Sequence, residues 1–236
     1  DLVESGEGSV VYEISNDLRK RAQSGNEEVV QADIFDLDDN LVFTRTKVKY
    51  ELPNGEKGEL DAQEFNMYKE ALESDGAKFD YSEINKLIKE KLGPAFNEFK
   101  KAYARSPEDT FIMTARAPGS KKAIQAWLAS EGYKLPIENI ITTEGTEFTE
   151  GELKGENKKG YTVLGFYTGR YNGKRYNTIN FSDDYNPNVE SVKFVTDQFD
   201  NKGKVYQTFA SEDIAGKAKE ILGESTGFDK NDLISY

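Results

Sequence analysis

Carboxylates follow two apolar stretches of the sequence at the points where predicted strands end. Asp36 and Asp38 come directly after residues 32–35, and Asp183 and Asp184 come directly after a second apolar run. Ligands of open α/β sheets bind at the carboxyl ends of the strands, and the first two acids can share one crevice because the strand breaks near Asp36. Carboxylates that converge there repel one another unless a cation compensates them. Mg²⁺ prefers oxygen ligands, so these four residues predict a Mg²⁺ site.

A hydroxyl stands at a third predicted strand end, where Thr114 closes the apolar run 110–114. Each motif has a plainer interpretation when it is taken alone. The Asp-x-Asp pair can be a turn with solvated acids, the Asp-Asp pair can cap the helix that follows near Pro187, and Thr114 can be an ordinary strand-end hydroxyl. The three motifs are separated by stretches that fit helical crossovers between parallel strands, and this combination favours a single shared site.

The composition restricts the chemistry that such a site can perform. The 236 residues include no Cys and no His, which excludes disulfides, thiol nucleophiles, His general bases and His- or Cys-ligated zinc. Any metal is therefore expected to be a hard, oxygen-preferring cation. The net charge of −12 argues against extended nucleic-acid binding, but it allows a small phosphorylated substrate to reach a local metal. No apolar run is long enough to span a bilayer and no signal sequence opens the chain, so we expect a soluble, cytoplasmic protein without a membrane partner.

Strands and helices alternate along most of the chain. Predicted strands lie at residues 32–35, 110–114, 137–142, 178–181 and 204–209, and residues 47–50 and 58–60 flank an Asn-Gly hairpin turn. Predicted helices lie at about residues 12–22, 62–74, 82–92, 94–105, 121–131 and 211–222, with another from about residue 187. Residues 143–160 predict a loop, whereas the Gly- and Tyr-rich stretch 161–176 is compatible with a helix, a hairpin or neither. The alternation predicts a Rossmann-like α/β fold with a mostly parallel sheet and helices on both faces.

The three motifs together resemble those of the haloacid dehalogenase (HAD) superfamily of aspartate-nucleophile phosphohydrolases. The resemblance spans about residues 30–222, and its specific matches lie at residues 36–41, 111–114 and 181–184. Phage-type members carry similar Phe-Asp-Leu-Asp-Asp, Thr-Ala-Arg and Asp-Asp-x-x-x-Asn runs. Residues 114–128 also resemble the 3′-phosphatase half of phage polynucleotide kinases.

On these residues the resemblance implies a two-step phosphoryl transfer from a phosphorylated substrate. Asp36 would attack phosphorus and form an aspartyl-phosphate, and Asp38 would protonate the leaving oxygen and then activate water. Thr114 would donate a hydrogen bond to a phosphoryl oxygen. Asp183 and Asp184 would hold Mg²⁺, which Asp36 and the backbone carbonyl of Asp38 would also reach.

The superfamily also uses a Lys that contacts the phosphate and the nucleophile, and the sequence offers three candidates for it. Lys159 has the most suitable separation from the strand before Asp183, Lys158 is its neighbour, and Lys174 lies close to that strand. Each of the three can equally be a solvated surface lysine. We assign the role to Lys159.

Three departures from the superfamily pattern bear on the site. Asn40 stands where the superfamily usually has Thr, and Asn can form the same kind of local hydrogen bond. Asp39 stands where many members have Gly, and its carboxylate can point to solvent or join the metal shell. Residues 161–176 replace a regular helix, which leaves the choice of Lys open.

An insertion is expected to divide the core domain. Residues 30–44 and 109–222 would form the core, residues 45–108 a cap, residues 1–29 an N-terminal arm and residues 223–236 a C-terminal tail. Caps of this kind control substrate entry and exclude water. The cap contains aromatic residues that can contact substrate or form a small core of their own: Tyr50, Tyr68, Phe79 and Tyr81.

Two functions are compatible with these observations. The first is a Mg²⁺-dependent phosphatase acting on a small phosphomonoester or a phosphorylated nucleic-acid end, and the presence of both Asp36 and Asp38 favours it. The second is a HAD-like structural or assembly protein with little or no catalytic activity, such as a phage virion component with an assembly partner in the host cytoplasm or virion. A Lys159 side chain within reach of Asp36 would favour catalysis, and an acidic crevice would disfavour nucleic-acid ends.

Overall fold

The computed structural model describes residues 2–5, 11–14, 29–83, 86–87, 89–143 and 157–209. In chain order its elements are β1 (Leu2–Ser5), β2 (Val11–Ile14), β3 (Gln31–Phe35), β4 (Val42–Thr44), β5 (Val48–Glu51), β6 (Lys57–Leu60), α1 (Ala62–Ser74), β7 (Lys78–Asp80), β8 (Lys89–Leu92), α2 (Phe96–Arg105), β9 (Thr110–Thr114), α3 (Lys121–Ser130), β10 (Ile140–Thr142), α4 (Asn157–Thr168), β11 (Thr178–Asp183), α5 (Asn186–Asp197) and β12 (Val205–Gln207). The predicted helix at 211–222 and the tail at 223–236 lie outside the described residues.

A five-stranded parallel sheet forms the centre of the molecule and confirms the predicted α/β fold. Its strand order is β10-β9-β3-β11-β12, and every neighbouring pair is parallel. The register aligns Phe35 at the end of β3 with Ser182 in β11 and with Ile112 in β9. The carboxyl ends of the three strands that carry the predicted site residues therefore meet at one edge of the sheet.

Helices cover both faces of this sheet. On one face α4 and α5 pack over a cluster that includes Ile34, Phe181 and Val192, and on the other α2 and α3 pack over a cluster that includes Phe35 and Leu128. Neighbouring strand residues point to opposite faces, which is why Ile34 and Phe35 belong to different clusters. Both faces are apolar because both are covered, as expected for a parallel sheet.

The first half of the stretch whose structure the sequence left open, residues 161–168, is helical. Helix α4 begins at Asn157, inside the region predicted as a loop, and ends at Thr168. Gly160 explains the difference: a Cβ atom at this position would lie 2.6 Å from the Ser191 carbonyl oxygen. The glycine therefore permits close packing of α4 against α5, so its presence marks a helix contact and not a loop.

The segment between β3 and β9 contains a small antiparallel sheet and two helices. Strands β5, β6 and β7 form an antiparallel sheet that, with α1, we call the cap. The predicted hairpin and the first cap helix are confirmed. Helix α2, which the prediction placed in the insertion, contacts β3 and β9 and buries Phe96, Phe99 and Ala102 in the core. Helix α2 therefore packs with the central sheet, because it carries an apolar face that covers this sheet.

Two predicted helices are contradicted where the structure describes them. Lys89–Leu92 is a strand that pairs antiparallel with β4, so the helix predicted over 82–92 is wrong in its last turn. Val11–Ile14 is a strand that pairs with β1, so the helix predicted near 12–22 is wrong at its start. In both cases pairing with another strand overrides local helix propensity.

None of the helices in the described ranges has the length and apolar character needed to cross a bilayer.

Candidate active site

A cavity of about 280 Å³ lies between the carboxyl edge of the central sheet and the cap. The core contributes the loop after β3, the end of β9 and the start of α4 and α5, and the cap contributes an apolar wall. The cavity is lined by Asp36, Asp38, Asp39, Thr44, Thr46, Val48, Phe65, Met67, Tyr81, Thr114, Ala115, Arg116, Lys159, Asp183, Asp184, Tyr185 and Asn188. All six predicted site residues are among them.

Hydrogen bonds, including those of the buried Asn40 side chain, link the loop that carries Asp36 to β11. The Asp36 backbone N–H donates to the Ser182 carbonyl (2.9 Å), and Asn40 Nδ2 donates to the carbonyls of Asp36 (2.9 Å) and Ser182 (3.2 Å). Thr208 Oγ1 in turn donates to Asn40 Oδ1 (2.7 Å). Asn40 is fully buried. Asn40 thus makes a local hydrogen bond to the Asp36 carbonyl and links this loop to β11.

Lys159 bridges two of the predicted carboxylates. Its Nζ donates to Asp183 Oδ2 (2.6 Å) and is ion-paired with Asp36 Oδ1. The first turn of α4 places this ammonium at the sheet edge, where Lys159 is only 4% exposed. Lys174 instead pairs with Asp109 (2.7 Å), and Lys158 is not among the residues that line the cavity. Of the three candidates, the structure brings Lys159 to Asp36.

The Asp183 carboxylate accepts hydrogen bonds from several groups. Besides Lys159, it accepts hydrogen bonds from the Tyr185 backbone N–H (2.9 Å) and from Asn188 Nδ2 (3.2 Å to each carboxylate oxygen). The N-cap of α5 is Tyr185, so neither acid of the Asp-Asp pair occupies the capping position that the plainer interpretation gave them.

Three of the four predicted metal ligands come together. Carboxylate oxygens of Asp36, Asp183 and Asp184 lie within 4.8 Å of one another. The carboxylate of Asp38, a residue expected to reach the metal through its backbone carbonyl, is not part of this group. It accepts instead from Arg116 Nε (2.8 Å) and Nη2 (2.7 Å) and from Thr44 Oγ1 (3.0 Å).

The electrostatics of the three-carboxylate group fit a bound divalent cation. Burial raises the pKa of Asp36 well above its ordinary value, and Lys159 offsets only part of this effect. Burial, and after it the charge of Asp183, raises the pKa of Asp184 to about 7. Negative charge is therefore under-compensated here, and hard oxygen donors of this kind are what Mg²⁺ prefers. For Lys159, burial lowers the pKa, but Asp183 and Asp36 outweigh it and raise the pKa above its ordinary value.

Arg116 is a site residue that reasoning from sequence did not assign. Its guanidinium is buried, holds Asp38 with two nitrogens and also donates to Thr46 Oγ1 (3.3 Å). The two-nitrogen geometry fixes the direction in which the Asp38 carboxylate points. The available signal was its position two residues after the strand-end Thr114, whose Oγ1 accepts from the Arg116 backbone N–H (3.2 Å).

Asp39 lines the cavity without joining the three-carboxylate group. Its backbone is left-handed, with φ of 56°. Burial, followed by the charges of Asp38 and Asp61, raises the pKa of Asp39 to about 6. The residue therefore adds acidic character to the cavity beside the group that could hold a metal.

The aromatic residues of the cap divide into two sets. Of the four predicted candidates for substrate contact, Tyr81 lines the cavity. Tyr50 and Phe79 pack against each other with ring centroids 6.3 Å apart, and Tyr68 is 49% exposed outside the cavity. Phe65, which the sequence did not single out, lines the cavity beside Tyr81.

Comparisons with protein-family models, with curated proteins and with solved structures gave no match to this chain.

Proposed function

We propose that this chain is a Mg²⁺-dependent phosphomonoester hydrolase of the HAD type, with Asp36 as its nucleophile. The observation that carries the proposal is the buried Lys159 ammonium, which contacts Asp36 and Asp183 at the carboxyl edge of the sheet. A buried Lys paired with two acids is costly to assemble, and its position beside an open cavity is typical of a catalytic site.

In the first step, a carboxylate oxygen of Asp36 attacks phosphorus. The bond between Asp36 and phosphorus forms, the bond from phosphorus to the leaving oxygen breaks, and a protonated Asp38 gives that oxygen its proton. In the second step, Asp38 takes a proton from water, the water oxygen bonds to phosphorus, and Asp36 is released. The products are an alcohol, which keeps the proton from Asp38, and inorganic phosphate, and Asp38 ends the cycle protonated by the proton taken from water.

The remaining residues orient these groups. Lys159 and Thr114 line the cavity beside Asp36, where the ammonium and the hydroxyl can donate to phosphoryl oxygens. Arg116 holds Asp38 at a fixed orientation. Asp36, Asp183 and Asp184 would hold Mg²⁺, whose charge would offset that of the carboxylates and of the developing transition state.

The alternative is a HAD-like structural or assembly protein. The contact between Lys159 and Asp36 favours catalysis over this alternative. No contact among the described residues gives the alternative separate support, so we keep it as the outcome that failure of the following experiment would favour.

The test is hydrolysis of p-nitrophenyl phosphate with and without Mg²⁺ by the wild-type chain and by two variants. Asp36→Asn removes the nucleophile, and Asp200→Asn makes the same chemical change at an exposed residue whose left-handed backbone Asn also tolerates. We expect Mg²⁺-dependent turnover in the wild type and in Asp200→Asn and none in Asp36→Asn. Equal turnover in all three proteins would overturn the proposal.

A further inference from the structure

The charges that line the cavity are strongly unbalanced. Within the described part of the chain, five carboxylates line the cavity: Asp36, Asp38, Asp39, Asp183 and Asp184. Two cationic side chains, Arg116 and Lys159, also line it, and both are ion-paired with these carboxylates. One phosphoryl group beside Asp36 can be served by Lys159 and a bound divalent cation. A second phosphate would meet carboxylates, and like charges at this range repel.

The wall opposite these acids is apolar and comes from the cap. Phe65 and Met67 in the first half of α1, together with Tyr81 after β7, face the cavity. The Phe65 ring is held edge-on by Phe79 (5.5 Å between centroids) and by Tyr81 (5.9 Å). This packing fixes the two cavity-facing rings before any ligand arrives.

The Met67 side chain in that wall is unusually exposed to solvent. Its side chain is 67% exposed although it lines a cavity between two parts of the chain. A flexible thioether left in water beside two fixed rings is a suitable surface for a flat apolar group, since sulfur packs favourably against aromatic rings. The cavity of about 280 Å³ lies at the small end of ligand sites, which run from about 300 to 1,000 Å³, so it fits a small molecule better than a polymer.

We propose that the substrate is a small monoester with one phosphate and a planar, uncharged, apolar leaving group that packs against Phe65, Met67 and Tyr81. This inference rests on the proposed phosphatase function and narrows it. Hydrolysis would release a ring-bearing alcohol and inorganic phosphate. A phosphorylated nucleic-acid end, with further phosphates next to the reacting one, fits the acidic cavity poorly.

The first experiment measures binding and so does not depend on turnover. Isothermal titration with Mg²⁺ present compares 2-phenylethylphosphonate with ethylphosphonate, two ligands that resist hydrolysis and differ by one ring. We expect the phenyl ligand to bind roughly tenfold more tightly or better, as a buried ring in an apolar site would require. Met67→Ala should reduce this preference severalfold, and Tyr68→Ala, which changes an exposed neighbour outside the cavity, should leave it unchanged.

The second experiment measures kcat/KM for 2-phenylethyl phosphate and ethyl phosphate, whose primary alcohols have similar acidity, so that a difference reports the ring. We expect the same preference, and a lower kcat/KM for adenosine 3′,5′-bisphosphate than for adenosine 5′-monophosphate. Equal phosphonate affinities, or a preference that Met67→Ala leaves intact, would overturn the substrate class. Selective phosphonate binding without hydrolysis of any ester would overturn the phosphatase function and leave the apolar subsite standing.

Discussion

Replacing Lys159 by Met tests whether the buried ammonium holds the candidate site together. The substitution keeps most of the side-chain volume and removes the charge that contacts Asp36 and Asp183. Those two carboxylates are themselves buried, so the variant would leave two like charges in a site with little access to water.

The expected cost can be estimated from these contacts. Removing one partner of a buried ion pair costs about 3–5 kcal/mol, because the remaining charge is left uncompensated. Domains of this size are stable by about 5–15 kcal/mol, so the loss would be a large fraction of the whole. Lys174→Met provides the matched control, since that ion pair with Asp109 has a Lys side chain that is 40% exposed and should contribute about 1 kcal/mol or less.

The assay is urea denaturation of the wild type and of both variants, in chelator and then in Mg²⁺. We expect Lys159→Met to lower the free energy of unfolding several times more than Lys174→Met in chelator. Mg²⁺ should restore part of the loss, because a cation at the three-carboxylate group would compensate Asp36 and Asp183. A Lys159→Met variant as stable as Lys174→Met in chelator would refute the reasoning.

Three further predictions concern other parts of the structure. Arg116→Lys should lower kcat about 100-fold with little change in KM, because a single ammonium cannot fix the Asp38 carboxylate as the two guanidinium nitrogens do; steady-state kinetics measures this, and an unchanged kcat would contradict it. Burial raises the pKa of Asp184 to about 7, so protons should compete with Mg²⁺ for this carboxylate below that pH, and its buried charge should lower the free energy of unfolding above it. The rise in Tm on adding Mg²⁺ should therefore be larger at about pH 8 than at about pH 5.5. Equal rises would count against the site. Gly160→Ala should lower the free energy of unfolding by about 1–3 kcal/mol, because its Cβ atom would meet the Ser191 carbonyl at 2.6 Å; an unchanged urea midpoint would show that the α4–α5 contact adjusts at little cost.

The central sheet could be predicted because its signals are local and repeated. Apolar runs such as 110–114 end at turn or acidic residues, and the helices between them have apolar residues at helical spacing, so the alternation alone indicates parallel strands. The carboxyl ends of parallel strands meet at one edge, which is why Asp36, Thr114 and Asp183 could be assigned to one site before the structure was known.

Features that depend on contacts between distant segments were missed. Arg116 contacts Asp38 across 78 residues of sequence, and the two-nitrogen geometry has no local signature. Strand β8 has the composition of a surface helix, and its pairing with β4 decides its structure. Gly160 counted as a loop signal because sequence alone does not show that Ser191 lies against it.

The most direct test of the central claim is to trap the phosphoryl group on Asp36. Wild-type chain mixed with p-nitrophenyl phosphate and Mg²⁺ would be quenched in acid within its first turnovers, digested and analysed by mass spectrometry. The proposed mechanism predicts one phosphoryl group on the peptide that contains Asp36, and none in the Asp36→Asn variant. Release of phosphate without any such peptide, or a phosphoryl group on another residue, would contradict the assignment of Asp36 as the nucleophile.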